Sequence, residues 1–149
     1  MKTGNFITRL KAEPLTFLLA ILAFIAGILF IVMQGARLFH STEAGSETLP
    51  LLIGQFERGF VWADVLLPGP FLIVGAIYLF IGRKPLGHLF TFAGWAINFY
   101  DMIVFFAGYS SINQPPAGAL FNELLLTALI ALMCMVWSVV RIAKDGYVT

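Results

Sequence analysis

Three carboxylates of this chain, Asp64, Asp101 and Glu123, lie inside three different hydrophobic segments. An ionisable side chain at the centre of a bilayer span costs roughly 2.5–3.5 kcal/mol on insertion scales, so such residues usually face a bundle interior and mark sites of function. Carboxylates gathered at one depth have the chemistry to bind a small cation or to exchange protons. These residue types therefore indicate binding or shuttling of protons or of a small cationic or amphipathic ligand.

The composition places the chain among integral membrane proteins. Of its 149 residues, 60% are hydrophobic and 11% are charged, and the mean hydropathy of +0.91 is too high for a domain with a polar surface. A helix needs about 20 apolar residues to cross a hydrocarbon core of about 30 Å. Four segments meet this length, at 14–34, 61–82, 86–108 and 119–140. We predict an all-α, four-helix membrane bundle, formed by residues 1–149 as one domain with an outer loop at 35–60.

The positions of the basic residues predict the orientation of the bundle. Seven of them precede the first span, lie between the second and third, or follow the fourth: Lys2, Arg9, Lys11, Arg83, Lys84, Arg141 and Lys144. Only Arg37 and Arg58 fall on the other side. Because basic loops are retained in the cytoplasm, both termini are expected to be cytoplasmic, in the cytoplasmic (inner) membrane of a bacterium.

The net charge of +1 gives no case for nucleic acid as a partner. The expected partner is the lipid bilayer, with a homo-oligomer or a larger membrane complex as further alternatives. Cys134 has no second cysteine to pair with, so an intramolecular disulfide is excluded and core packing is expected.

The helical phase of the polar residues suggests one inward-facing group. Asn98 and Asp101 are neighbours one turn apart on the third segment. At 1.5 Å per residue, Asp64 and Glu123 lie about 6 Å inside the outer ends of their helices and Asp101 about 10 Å. Gln34, Asn98 and Asn122 share that level. The candidate ligand-binding residues are Asp64, Asn98, Asp101, Glu123, Gln34 and Asn122.

Each carboxylate also has a simpler interpretation. Asp64 and Glu123 lie within about one turn of a helix start, where a carboxylate can cap free N–H groups and complement the helix dipole. Asp101 lies near the C-terminal end of its helix, where the dipole is unfavourable. The hypothesis of function is therefore strongest for Asp101.

The second segment contains Pro68-Gly69-Pro70. Since proline lacks an N–H and clashes with the preceding turn, this sequence predicts a kinked or broken second helix. Irregular backbone at membrane depth occurs mainly where protein or a water-filled cavity satisfies it. The alternative is a helix that simply starts at Pro68.

Metal and cofactor signatures are weak or missing from the sequence. His40 and His88 fall at opposite ends of the predicted bundle, which argues against bis-histidine haem. Asp64, Asp101, Glu123 and His40 could gather around a divalent ion, but four ligands from a loop and three helices make a weak signal. We therefore predict no metal site, and the sequence names no cofactor.

Several local features resemble a known family. These are the acidic residue at the outer start of the second span, the Gly-containing stretch 73–79, the basic turn 82–87 and the four-span length. In these features the chain resembles the DoxX-like family of small bacterial membrane proteins. Some members are linked to sulfur-compound or quinone oxidoreduction, often within larger assemblies, so the resemblance implies an accessory role. The first span lacks the family's Arg and Gly-Lys pattern, and the activity is not carried over.

Three functions are consistent with the sequence. The first is a non-enzymatic protein with an acidic pocket toward the extracytoplasmic side, anchored by Asp101. The second is an accessory or assembly subunit whose carboxylates make buried hydrogen bonds between helices or subunits. The third is a membrane enzyme acting on a quinone or lipid, which would need a titrating carboxylate pair near the bilayer surface. No catalytic motif supports the third, so the first is preferred.

Overall fold

The computed structural model describes residues 12–36, 59, 61–111 and 118–145. These residues are almost entirely helical and contain no strand. Four helices among them are long and apolar enough to cross a membrane: Pro14–Gln34, Val61–Phe80, Lys84–Gly108 and Leu124–Lys144. The prediction of an all-helical membrane protein with four spans is confirmed at this level.

The helices are α1 (Pro14–Leu29), α2 (Pro68–Phe80), α3 (Lys84–Ser111) and α4 (Gly118–Asp145). α3 begins two residues earlier than its apolar run, because Pro85 falls in the first turn, where a missing N–H leaves no hydrogen bond unmade. α4 continues past residue 140, and Lys144 in its last turn complements the helix dipole. Hydropathy detects the lipid-facing part of these helices, whereas the helices themselves extend into the polar boundary.

α1 does not end as a regular helix. It continues into a π-helical segment, Phe30–Gln34, in which the hydrogen bonds span five residues instead of four. Short π-helical segments are rare and occur frequently at functional sites. The segment ends at Gln34, so the local widening of the helix coincides with one of the candidate residues.

The backbone of the second span departs from regular helix at one residue, Leu67, which has a turn conformation. Residues 61–66 are helical, Leu67 has φ −114° and ψ −77°, and α2 begins at Pro68. The Leu67 N–H donates to the Ala63 carbonyl at 2.9 Å, and the Phe71 N–H donates to the Leu67 carbonyl at 3.1 Å. Pro68 and Pro70 have no N–H to donate, so the carbonyl of Leu66 lacks the usual donor four residues ahead.

A tight turn joins α2 to α3. Gly82 has φ 85°, a left-handed conformation that favours glycine. The Arg83 N–H donates to the Tyr78 carbonyl at 2.8 Å and the Gly82 N–H donates to the Leu79 carbonyl at 3.1 Å. This is the pairing of a Schellman C-cap, which reverses the chain with few residues.

Polar contacts show that successive helices alternate in direction. Gln34 meets Asp64 at one end of the bundle, and Glu13 meets both Lys84 and Arg141 at the other. We call the first the acidic end and the second the basic end. The core between them is formed by all four helices, through Ala23, Leu72, Ala76, Trp95, Ala131 and Cys134.

Glycines bring the helices into close contact. A Cβ atom on Gly27 would lie 2.8 Å from the Gly69 carbonyl oxygen, and one on Gly75 would lie 2.6 Å from the Thr91 backbone nitrogen. Neither backbone atom can rotate away as a side chain can. Small residues at helix interfaces are typical of bundles in lipid, where packing drives association.

Gly75→Ala is expected to destabilise the bundle because the new methyl group must push α2 and α3 apart. Overpacking of this kind costs typically about 1–3 kcal/mol. The matched control is Gly35→Ala, since a Cβ there meets nothing within 4 Å and alanine favours the helix by roughly 0.5–1 kcal/mol. Reversible unfolding in mixed micelles measures both variants. Equal stability of the two would contradict the close contact at Gly75.

Candidate functional site

The candidate site at the acidic end begins with Gln34 and Asp64. The Gln34 Nε2 donates a hydrogen bond of 2.9 Å to the Asp64 Oδ2. Gln34 ends the π-helical segment, and Asp64 precedes the interruption at Leu67. Both residues lie next to a departure from regular α-helical hydrogen bonding. Their hydrogen bond therefore joins the π-helical segment of the first span to the residues just before Leu67 in the second.

Asp101 adds a second carboxyl group to the site. It lies on α3, and its carboxyl group interacts with that of Asp64. Each of the two aspartates is only 5% exposed. Two carboxylates repel each other at this separation, and a hydrogen bond between them requires a proton on one. The pair is therefore arranged to hold a shared proton.

Asn98 lies one turn from Asp101 on the same helix and is fully buried, with 0% of its surface exposed. Neither its Nδ2 nor its Oδ1 has a hydrogen-bond partner among the described residues. Leaving a buried polar group unpaired costs about 1–3 kcal/mol per group. A side chain kept at such a cost has the donor and the acceptor that a small polar ligand or a water molecule would use.

The structure brings together only some of the predicted site residues. It brings together Gln34, Asp64 and Asp101, with Asn98 beside them. Asn122 is exposed on α4 and does not join this buried group. The side chain of Glu123 and the whole of His40 lie outside the described residues.

Within residues 12–36, 61–111 and 118–145, no three His, Cys, Asp or Glu side chains gather as metal ligands would. Asp64 and Asp101 alone supply two carboxyl groups. The remaining members of the divalent-ion set, Glu123 and His40, are those whose side chains are not described.

The basic end holds an ion-pair cluster that the sequence analysis missed. Glu13 Oε1 lies 2.9 Å from a terminal nitrogen of Arg141 and also pairs with Lys84. The Arg141 guanidinium lies 5.9 Å from the centre of the Trp137 ring, a cation–π contact. The available signal was the position of Glu13, directly before the first span and at the depth of Lys84 and Arg141. The cluster joins the ends of three helices.

Burial tends to raise the pKa of Glu13, but hydrogen bonds and charge attraction from Lys84 and Arg141 outweigh it, so this pKa is lowered from its usual 4.5. A lowered pKa in the folded state means that the ion pairs stabilise the fold above 4.5 and that this contribution is lost as the pH falls through the folded value.

Glu13→Gln is therefore expected to be less stable than the wild type at pH 7, with the difference shrinking as the pH falls below 4.5. Thermal unfolding of both proteins between pH 3 and pH 7 measures this convergence. A constant difference over the whole range would show that ionisation of Glu13 does not contribute.

Comparisons with protein-family models, curated proteins and solved structures find no match for this chain. Its function is therefore argued from the site alone. The resemblance to the DoxX-like family stays a prediction from sequence motifs.

Proposed function

We propose that this protein binds and shuttles protons, or a small cation with N–H donors, at the acidic end of its bundle. The observation that supports this most strongly is the pair of buried carboxyl groups of Asp64 and Asp101, each only 5% exposed, which would repel each other if both were ionised. Asn98 supports it further, because its buried amide offers one acceptor and two donor hydrogens beside the pair.

The proposal includes an orientation for the bundle. The excess of Lys and Arg in the segments next to the basic end supports an orientation with that end and both termini in the cytoplasm. The acidic end then opens toward the extracytoplasmic side of a bacterial inner membrane. A small cation or proton arriving from that side meets Gln34, Asp64 and Asp101 first.

A broken second helix would contribute backbone carbonyls to this binding site. The carbonyl of Leu66 has no donor from Pro70. Broken helices in membranes often line a binding site, where their carbonyls contact cations. The interruption at Leu67, next to the carboxyl pair, is consistent with that arrangement.

Close packing favours a small ligand over a bulky one. Gly27 on α1 contacts Gly69 on α2, and Gly94 on α3 contacts Leu72 on α2, with room for no Cβ at either glycine. These contacts lie within two turns of Gln34 and Asn98 along their helices. Protons, ammonium-like groups and monovalent ions fit such a site better than a large amphipathic molecule.

A thermal-stability titration separates the two ligand classes. Methylammonium is added to the purified protein at constant ionic strength, with tetramethylammonium as the control because it has no N–H to donate. Binding to the folded state raises the Tm as the concentration rises. A rise with methylammonium that is lost in Asp101→Asn indicates a cation site at the carboxyl pair.

Absence of any rise in the wild type excludes the cation and leaves the proton as the ligand. An equal rise in Asp101→Asn and wild type contradicts the assignment of the site. In each case the control variant Tyr100→Phe, an exposed residue on the same helix, is expected to behave as wild type.

The second candidate function is an accessory subunit of a larger membrane complex. It is favoured by the Gln34–Asp64 hydrogen bond and the Asp64–Asp101 contact, because together they join three spans. Under this hypothesis the polar group is a structural connection between helices. Neutralising it would then reduce stability or partner retention, with no effect on ligand or proton binding.

A further inference from the structure

A second set of buried polar side chains lies between the core and the basic end. His88 is on α3 and is 1% exposed, which is unusual for a titratable side chain in an apolar bundle. It lies one turn beyond Lys84 along the helix. The function proposed for the acidic end does not use it.

Thr91 and Ser138 form the next layer of this set, one turn closer to the core. Their hydroxyl oxygens are 3.3 Å apart, and both residues are buried. The Thr91 hydroxyl is also within hydrogen-bonding distance of the Gly87 carbonyl at 3.0 Å and the His88 carbonyl at 3.1 Å. Hydroxyl groups both donate and accept, so this layer can pass a hydrogen bond between α3 and α4.

The two polar sets lie on one face of α3. Its buried polar residues are His88, Thr91, Asn98 and Asp101, and they extend along about 20 Å of helix at 1.5 Å per residue. Between Thr91 and Asn98 there is an apolar gap of about 10 Å on the same measure. Leu72 and Trp95, both buried, occupy this gap. One apolar layer therefore separates two polar sections of the same face of α3.

The groups that would influence a proton at His88 come from every neighbouring element. The charged and titratable side chains at or near its level are Glu13 before α1, Tyr78 on α2, Arg83 and Lys84 around the α2–α3 turn, and Arg141 and Lys144 on α4, while Cys134 on α4 lies deeper, in the core. Positive charges predominate among them.

Building on the function proposed for the acidic end, we propose that His88 accepts and releases protons as the second titratable site on a proton path through the bundle, after the Asp64–Asp101 pair. A proton leaves the Asp64–Asp101 pair, crosses the Leu72–Trp95 layer on transient water, and passes the Thr91–Ser138 hydroxyls to one imidazole nitrogen of His88. The other nitrogen releases a proton to water at the basic end. Only protons move, and no electron donor or acceptor is required.

Proton flux into vesicles tests this path. The full-length protein is reconstituted into phosphatidylcholine vesicles that enclose a pH-sensitive dye, with K⁺ and valinomycin to hold the potential constant. Internal pH is followed after an external acid jump. The wild type is expected to acidify the vesicles faster than protein-free controls, and His88→Gln, which keeps a hydrogen-bonding side chain but does not titrate, is expected to fall to the protein-free rate.

Leu72→Ala provides an independent variant, because a smaller side chain in the apolar layer admits water more often. It is expected to acidify vesicles faster than the wild type, and Tyr100→Phe is expected to match the wild type. His88→Gln at the wild-type rate, or Leu72→Ala without any increase, would overturn the path.

Asp101→Asn separates this inference from the function on which it rests. Flux that stops in Asp101→Asn but continues in His88→Gln refutes the role of His88 and leaves the acidic site in place. Flux unchanged in both variants refutes both. A wild type no faster than protein-free vesicles refutes the path alone, since proton binding by the carboxyl pair is measured separately by infrared spectroscopy.

Discussion

Asn98→Leu is expected to weaken cation binding and slow proton flux at the acidic end while leaving the bundle at least as stable as the wild type. The amide of Asn98 is fully buried, with no partner for its nitrogen or its oxygen among the described residues. Leucine has a similar size and no polar atom to leave unpaired. Replacing a buried unpaired group by an apolar one is neutral or stabilising by up to about 1–3 kcal/mol. The measurement combines reversible unfolding with the vesicle flux assay.

This variant also decides between the two functions. If Asn98 were a structural connection between helices, leucine would remove a hydrogen bond and lower the stability. The matched control is Asn122→Leu, the same substitution at an exposed position on α4, where neither stability nor flux should change. Loss of stability in Asn98→Leu with unchanged flux would favour the accessory-subunit hypothesis.

Asp64→Leu is expected to destabilise the bundle by on the order of 3 kcal/mol, because it leaves Gln34 without its acceptor at 2.9 Å and removes the partner of Asp101. Asp64→Asn is expected to cost much less. The asparagine amide keeps an oxygen to accept from Gln34 and an N–H to donate to Asp101, as a protonated carboxyl group would.

The contrast between these two substitutions at one position is the informative quantity. Both are measured by unfolding in mixed micelles at pH 7, against the wild type in the same detergent. A protein in which Leu and Asn destabilise equally would not depend on the hydrogen bonds of Asp64. If Asp64→Asn were the worse of the two, Asp64 would act as a fixed negative charge and the shared proton would be refuted.

The sequence predicted those parts of the structure that follow from hydropathy and helical phase. Long apolar runs identified four spans, and the three-residue step between Asn98 and Asp101 placed them on one face. Gln34 was grouped with Asp64 by depth alone, and the structure joins them by a hydrogen bond. The comparison of depths grouped them correctly because Gln34 is the last residue of the first apolar segment and Asp64 lies near the start of the second.

The same reasoning could not place residues whose position depends on rotation or on distant partners. Asn122 shares the depth of Asp64, but one residue on a helix changes the facing direction by about 100°, and it is exposed. Glu13 pairs with Lys84 and Arg141, which are far from it in sequence. No sequence motif predicted the π-helical segment Phe30–Gln34.

The central claim is that Asp64 and Asp101 share a proton inside the bundle. Infrared spectroscopy of the purified protein tests it most directly, because a protonated carboxyl group has its own C=O stretching band, which shifts in D₂O. This band is expected at pH 7 in the wild type and is expected to be lost in the Asp64→Asn/Asp101→Asn double variant. A wild type without the band, or a double variant that retains it, would contradict the account.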